Sequence, residues 1–255
     1  MTRWLRVRMV LDRVVAAALL VIFSPVIVVL AIAVRLSDRG PSFLAVPRVG
    51  RGGEVFKMWK LRSMRAELPD GRATGLALTA TDDKRITPVG RRLRAYHLDE
   101  LPQLWNVVKG EMCLLGARPE APEFVDTSDI GWQALLVAPP GIAGPTQLIV
   151  SDWERHLISA CAAGDIYTAD VVPVKLAIDR WYLGSASPRL DALVAVTLLR
   201  RFMPGTDSST LRAKVRREVP ESHAVDQERR AGQGAPAAHP DTRNAATASP
   251  TPCAS

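Results

Sequence analysis

No charged side chain occurs between Val14 and Val34, and this uninterrupted apolar run limits what the chain can fold into more than any other feature. A helix needs about 20 apolar residues to cross a bilayer, so a membrane-embedded helix is expected. Ser24-Pro25 falls at the middle of the run. Pro25 removes a helix hydrogen bond and crowds the preceding turn, while the Ser24 hydroxyl can bond a carbonyl one turn back, so a kink is expected there. Arg3, Arg6, Arg8 and Arg13 precede the run, and Arg35, Arg39, Arg48 and Arg51 follow it. Cationic flanks favour the cytoplasmic side, which asks for both ends on one face. A re-entrant helix that enters, bends at Ser24-Pro25 and returns satisfies both observations, and the alternative is an ordinary kinked span, since proline is tolerated in such helices. A cleaved signal peptide fits less well because the run is long.

At 255 residues the chain has room for one globular domain and appendages. Its formal charge of +7 suits an anionic partner, whether lipid headgroups, a diphosphate or nucleic acid. Nucleic acid is disfavoured. Aromatic residues make up only 5% of the chain, no zinc-finger spacing or stacking motif appears, and the basic residues gather near the apolar run and a later Asp-Glu pair. Cys113, Cys161 and Cys253 are scattered without paired spacing, which argues for a reducing compartment and against structural zinc.

That Asp-Glu pair lies in the run from Leu98 to Met112. Leu101, Leu104, Trp105 and Val108 recur at i, i+3, i+4 and i+7, which predicts an amphipathic helix with this face inward. Pro102 fits only a first turn, so the helix is expected to begin between His97 and Asp99. Asp99 and Glu100 would then meet the unpaired N–H groups and positive dipole of a helix start. Two carboxylates among Arg91, Arg92, Arg94, Lys109 and Arg118 suit chemistry on phosphates.

Elsewhere, Ser42–Val46 and Glu54–Met58 flank a basic, glycine-rich connection and predict a hairpin. Residues 65–83 have no sustained period and read as a loop. Helical signals cover Val89–Tyr96 and Tyr167–Trp181, with Pro173 in a first turn, and an apolar helix runs on through Leu199. Beyond Pro204 large apolar residues are few, so residues 205–255 are expected to form a disordered tail.

Several of these segments fall into one order: Gly40-Pro41-Ser42-Phe43, Arg48-Val49-Gly50, Lys60-Leu61-Arg62-Ser63-Met64, Thr87-Pro88-Val89-Gly90-Arg91, Leu98-Asp99-Glu100-Leu101-Pro102-Gln103-Leu104-Trp105-Asn106, Lys109-Gly110-Glu111-Met112 and Gly116-Ala117-Arg118-Pro119. The order resembles the signature of the monotopic phosphoglycosyl transferases, bacterial sugar transferases that load a sugar phosphate onto a polyprenyl phosphate carrier. It covers about Arg6 to Phe202. The resemblance implies an α+β, mostly helical fold with a re-entrant membrane helix broken at Ser24 and Pro25 (residues 1–39). A small β-hairpin and a compact helical catalytic domain on the cytoplasmic face of the inner or plasma membrane would follow (residues 40–204). It implies that Asp99 attacks the diphosphate of a UDP-sugar, that UMP leaves, and that polyprenyl phosphate then takes the phosphosugar from the enzyme. Glu100 would have an acid/base or metal-positioning role. Lys60, Arg62, Arg94 and Arg118 would bind phosphate or nucleotide, and Mg2+ would sit at Asp99. Membrane lipid is a further partner, and the resemblance leaves room for a homo-oligomer. Four residues depart from the usual pattern: His97 stands for Ser/Thr, Cys113 for Ser, Ala117 for Pro and Ala143 for Thr. None removes a charged catalytic group, so an active enzyme is expected. The competing readings are a catalytically silent membrane-anchored scaffold for glycan-assembly partners and a basic peripheral protein that merely binds anionic lipid or nucleic acid.

Overall fold

The computed structural model describes residues 2–65, 83–160, 167–200 and 209–225. The helix α1 (Arg3–Asp38) contains the whole apolar run, and its helical backbone continues through Pro25. The Val21 carbonyl is the acceptor that an N–H at residue 25 would have served, and the Ser24 hydroxyl donates to it at 2.8 Å. The hydroxyl thus replaces the donor that proline lacks. One stripe of α1 is buried, through Leu5, Arg8, Asp12, Ala16, Ile27 and Val34. The opposite side, including Val14, Val21, Ile22, Val29 and Leu36, is apolar and exposed. Among the described residues, α1 is the one helix long and apolar enough to cross a membrane.

The buried stripe touches the rest of the protein at three places. Near the start, the Arg8 guanidinium donates to both Asp191 oxygens at 2.9 and 3.0 Å and to the Tyr182 hydroxyl at 3.2 Å. Trp4 Nε1 donates to the same carboxylate at 2.7 Å. In the middle, Ala16, Leu19 and Leu20 pack on Met58, Leu104, Val107 and Met112. Toward the end, Leu30, Ala31 and Val34 meet Leu61, Leu93 and Leu98. The largest core lies farther along the chain, around Trp132, Trp153, Tyr167, Ile178 and Tyr182.

After α1, strands β1 (Phe43–Val49) and β2 (Val55–Leu61) form the expected antiparallel hairpin, in register from Phe43 opposite Leu61 to Val49 opposite Val55. Past β2 the chain pairs with the residues leading into helix α2 (Pro88–Ala95): Met64 bridges Ile86, and the Thr87 N–H donates to the Ser63 carbonyl at 3.1 Å. Thr87 caps α2 by accepting from the Gly90 N–H at 2.9 Å, and Pro88 occupies a first-turn position where its missing N–H costs nothing. Gly90 lies so close to the Ser63 carbonyl that any Cβ would overlap it. Helix α3 (Gln103–Lys109) follows, then β3 (Cys113–Leu115), α4 (Ile130–Leu135) and β4 (Gly141–Ala143), the last in parallel register with β3. Helices α5 (Pro145–Ile149), α6 (Ser151–Ala160), α7 (Val172–Gly184), α8 (Pro188–Arg200) and α9 (Ser209–Glu218) complete the body.

Four expectations need correction or restriction. Helix α3 begins at Gln103, because Pro102 has no N–H for the Leu98 carbonyl; the Leu101 N–H takes that acceptor at 3.4 Å, making Leu98–Glu100 a separate 3-10 turn. The inward face of α3 is also different: Gln103, Leu104, Asn106 and Val107 are buried, whereas Trp105 is 49% exposed. Residues 209–225 are folded, against the expected tail from 205 onward. Leu211, Val215 and Val219 recur every four residues and are buried with Val225, so a segment poor in apolar residues still presents them on one face. Residues 205–208 and 226–255, and positions 66–82 of the expected loop, lie outside the described residues.

Each of those buried side chains contributes roughly 1.5–3 kcal/mol by leaving water. Replacing Leu211, which is fully buried, with Ala is therefore expected to destabilise the folded chain by about 2–4 kcal/mol. Thermal unfolding of the membrane-solubilised protein checks this: an unchanged midpoint would mean that α9 is not part of the cooperative core.

Candidate active site

The ends of β2 and α2 converge on the turn that carries the Asp-Glu pair. His97 adopts a left-handed conformation, φ 54°, which turns the chain out of α2 into the 3-10 turn Leu98–Glu100. Its side chain makes no capping hydrogen bond, so the capping box that Ser or Thr would form with Glu100 is not made. Glu100 is instead held by cations. Lys60 Nζ, from β2, lies 3.1 Å from Glu100 Oε1. Arg118, from the turn after β3, donates through Nη2 to Oε1 at 2.5 Å and through Nη1 to Oε2 at 3.3 Å. Its Nη1 also reaches the Ile142 carbonyl on β4 at 3.4 Å.

Asn106 keeps these elements in register. Its Oδ1 accepts from the Trp59 N–H at 3.0 Å, and its Nδ2 donates to the Lys57 carbonyl at 2.8 Å and to Glu111 Oε2 at 2.7 Å. This fully buried side chain therefore satisfies the free edge of β2 one residue from Lys60, tying the strand to the helix that follows Glu100.

The two carboxylates differ in kind. Burial alone would raise the Glu100 carboxyl, but the charges and hydrogen bonds of Arg118 and Lys60 outweigh it and hold Glu100 ionised, well below the usual carboxylate range. The same pairing raises Arg118 against the opposing effect of burial. For Lys60, burial prevails and lowers the ammonium despite Glu100. Asp99 is buried at 6% exposure, and among the described residues it makes no hydrogen bond or ion pair; it lies within the field of Lys60. One carboxylate is saturated, and its neighbour is left uncommitted.

Lys60 and Arg118 are thus brought together with Glu100, whereas Arg62 and Arg94 are not among its partners. Arg62 is buried against Gly40 just past α1, where any Cβ would overlap the guanidinium. Arg94 is half-buried on α2, in the field of Asp83. No group of three or more His, Cys, Asp or Glu assembles among the described residues. With Glu100 occupied by Lys60 and Arg118, Asp99 is the carboxylate that would be offered to a magnesium ion, one completed by water and phosphate oxygens rather than enclosed by protein ligands.

Behind Arg118 lies a polar group that the sequence did not reveal. Lys175 on α7 pairs with Glu120 at 2.5 Å and Glu154 at 3.4 Å, and donates to the Tyr167 hydroxyl at 2.7 Å. Nearby, the Thr146 hydroxyl bonds Asp179, and burial pushes that carboxyl up to about 7. Gly-Ala-Arg-Pro was the only local signal, and it stops one residue short of Glu120. Farther along the chain, Tyr182 and Asp191 hold Arg8 of α1.

The bacterial sugar transferase family pattern matches residues 3–204. Over 198 residues the chain is 31% identical to the UDP-N-acetylgalactosamine-undecaprenyl-phosphate N-acetylgalactosaminephosphotransferase of Aeromonas hydrophila, covering 76% of this chain and 43% of that protein. It is 32% identical over 196 residues to the undecaprenyl-phosphate glucose phosphotransferase of Komagataeibacter xylinus, which is 74% of this chain and 34% of the relative. A UDP-glucose:undecaprenyl-phosphate glucose-1-phosphate transferase from Caulobacter vibrioides is 40% identical over 144 residues, 54% of this chain and 52% of its own. The chain thus spans about half or less of these three relatives. With the family pattern running through the apolar helix α1, the hairpin and the Asp99-Glu100 turn, the chain belongs to the bacterial sugar transferase family.

Proposed function

We propose that the protein transfers a sugar 1-phosphate from a UDP-sugar to polyprenyl phosphate, with a covalent phosphosugar held on Asp99 between two half-reactions. The observation that carries this reading is the uncommitted, buried Asp99 beside a Glu100 already saturated by Lys60 and Arg118. In the first half-reaction a carboxylate oxygen of Asp99 attacks the phosphorus nearer the sugar. The bond from that phosphorus to the bridging oxygen breaks, and UMP leaves with the electron pair. In the second, a phosphate oxygen of the polyprenyl carrier attacks the same phosphorus and Asp99 is released as a carboxylate. Neither leaving group needs a proton near neutral pH. Glu100, held ionised, therefore serves to position Lys60 and Arg118 at the diphosphate rather than as an acid, and those cations stabilise charge on the transferring group. A magnesium ion bound with Asp99 would supply further neutralisation of the diphosphate. The relatives act from UDP-N-acetylgalactosamine or UDP-glucose by their names, so these two donors are the first to test.

The same reading makes α1 a re-entrant membrane element with the body on the cytoplasmic face. A helix of 36 residues is about 54 Å long, well beyond a hydrocarbon core of about 30 Å. Leu5 and Arg8 at one end and Val34 at the other pack on the same body, which a helix crossing upright through a bilayer does not permit. The exposed Trp105 supports the same placement: proceeding round α3 from Asn106, which faces β2, one passes Val107 and Leu104, which pack with α1, and reaches Val108, Leu101 and Trp105. Trp is favoured at such interfaces.

Asp99→Asn keeps the shape of the side chain and removes its charge, so it is expected to abolish both UMP release and the phosphosugar adduct. Intact-protein mass spectrometry after incubation with donor and magnesium checks this, and an adduct persisting in that variant would sink the assignment. Glu100→Gln is expected to lower the rate by roughly 100-fold or more while still permitting a slow adduct. Failure of the unaltered protein to release UMP from any donor would favour the silent scaffold.

For the membrane arrangement, single cysteines at Thr2 and Ser37 are expected to react with an impermeant thiol reagent from the same side of sealed vesicles. Labelling from opposite sides would establish a span.

A further inference from the structure

We propose that Lys175 is a positioning residue for the transfer site: by saturating Glu120 and Glu154 it keeps Arg118 directed at Glu100 and the donor diphosphate. The inference rests on the reading of Arg118 as a donor-phosphate contact.

Lys175 is 7% exposed, and an ammonium has three protons to donate. All three are engaged, by Glu120 Oε1 at 2.5 Å, the Tyr167 hydroxyl at 2.7 Å and Glu154 Oε1 at 3.4 Å. The Tyr167 hydroxyl in turn donates to the second Glu120 oxygen at 2.8 Å. Glu120 is thereby satisfied on both oxygens without Arg118.

The need for this follows from the chain itself. Only Pro119 separates Arg118 from Glu120, and the Glu120 carbonyl accepts from the Val49 N–H at 3.0 Å, fixing this segment to the hairpin. Arg118 thus sits permanently in the fields of Glu120 and Glu154 as well as that of Glu100. A guanidinium offers one planar fork, and if it turned toward Glu120 it would leave Glu100 and the phosphate position. Arg48 is a further cation beside Glu120, but among the described residues it makes no ion pair, and burial already disfavours its charge. Without Lys175, two carboxylates whose side chains are only 12% and 23% exposed would lack their counter-charge, and Arg118 is the cation best placed to supply it.

The test uses the full chain in lipid nanodiscs, with whichever of UDP-glucose and UDP-N-acetylgalactosamine it turns over. Four variants are compared by UMP release and thermal unfolding: Lys175→Met, Glu120→Gln, the double variant Lys175→Met/Glu120→Gln, and Arg118→Met. Lys175→Met is expected to raise the donor KM by roughly tenfold, with a smaller change in kcat, and adding Glu120→Gln is expected to recover most of that loss. A merely structural lysine would not be rescued by removing its partner's charge. If the double variant binds donor as poorly as Lys175→Met, or if the unaltered KM persists in Lys175→Met, the positioning role is overturned. Should Lys175→Met fail to fold, the folded double variant decides: near-normal KM supports the proposal, and a tenfold rise refutes it. Arg118→Met separates the two layers. An unchanged KM there overturns the phosphate contact and the proposal with it, whereas a raised KM without rescue by Glu120→Gln overturns the proposal alone.

Discussion

The carboxylate of Glu100 is where the separate parts of this protein meet. Lys60 reaches it from the hairpin and Arg118 from the turn after β3, while Glu100 itself leads into α3. A carboxylate buried to this extent costs several kcal/mol unless it is paired, so the three elements cannot separate without exposing that cost. Stability is the smaller consequence. Replacing such a triad by apolar groups of similar volume often costs a protein nothing, which points to the geometry of the two cations as the reason for retaining it. They are brought to one point, with their charges oriented before any anionic substrate arrives.

Holding cations in this way has a structural requirement, which Asn106 meets. Strand β2 pairs with β1 on one side only, and its other edge at Lys57 and Trp59 would otherwise need solvent. The Asn106 amide replaces a neighbouring strand with a matched acceptor and donor, and Glu111 fixes the amide's orientation. An aspartate could not donate to the Lys57 carbonyl, and a leucine could satisfy neither group. The hairpin thereby takes its register from α3, and α3 packs along α1 through Leu104 and Val107. Placement of the charged site is thus coupled to the long apolar helix α1 through one amide and one apolar seam.

Much of this organisation was legible in the chain. Charge-free length marked α1, glycine-rich spacing between two extended segments marked the hairpin, and helical signals over Val89–Tyr96 marked α2 to within a residue at each end. What failed did so for identifiable reasons. Apolar periodicity placed Trp105 inward because it counts hydrophobicity and cannot register that Gln103 and Asn106 are the buried side chains. Composition made residues 209–225 look unable to fold, since an average is blind to Leu211, Val215 and Val219 falling on one face. Arg62 matched the motif pattern, and its packing against Gly40 could not be foreseen, because a motif preserves residue order without revealing which contact each residue makes. Lys175 was invisible, as its partners Glu120 and Glu154 are brought to it only by the folded body.

Adjacent residues in a tight turn point their side chains in different directions, and on the proposed reading of Asp99 as the nucleophile this is how the Asp-Glu pair divides its tasks. In the 3-10 turn Leu98–Glu100, Glu100 is delivered to Lys60 and Arg118, and Asp99 is left in the same electrostatic field without being bonded to either cation. A nucleophile clamped by two cations would have to give up those bonds before attacking, at a cost added to the barrier. One held nearby and unbonded keeps its lone pairs, while the field of the cations offsets repulsion from an approaching diphosphate. Had Pro102 permitted a regular α-helix through residues 98–104, its missing N–H would have removed a hydrogen bond at the Leu98 carbonyl with nothing in its place. The tighter turn resolves that conflict with the Leu101 N–H and places the two carboxylates in one basic site with different surroundings.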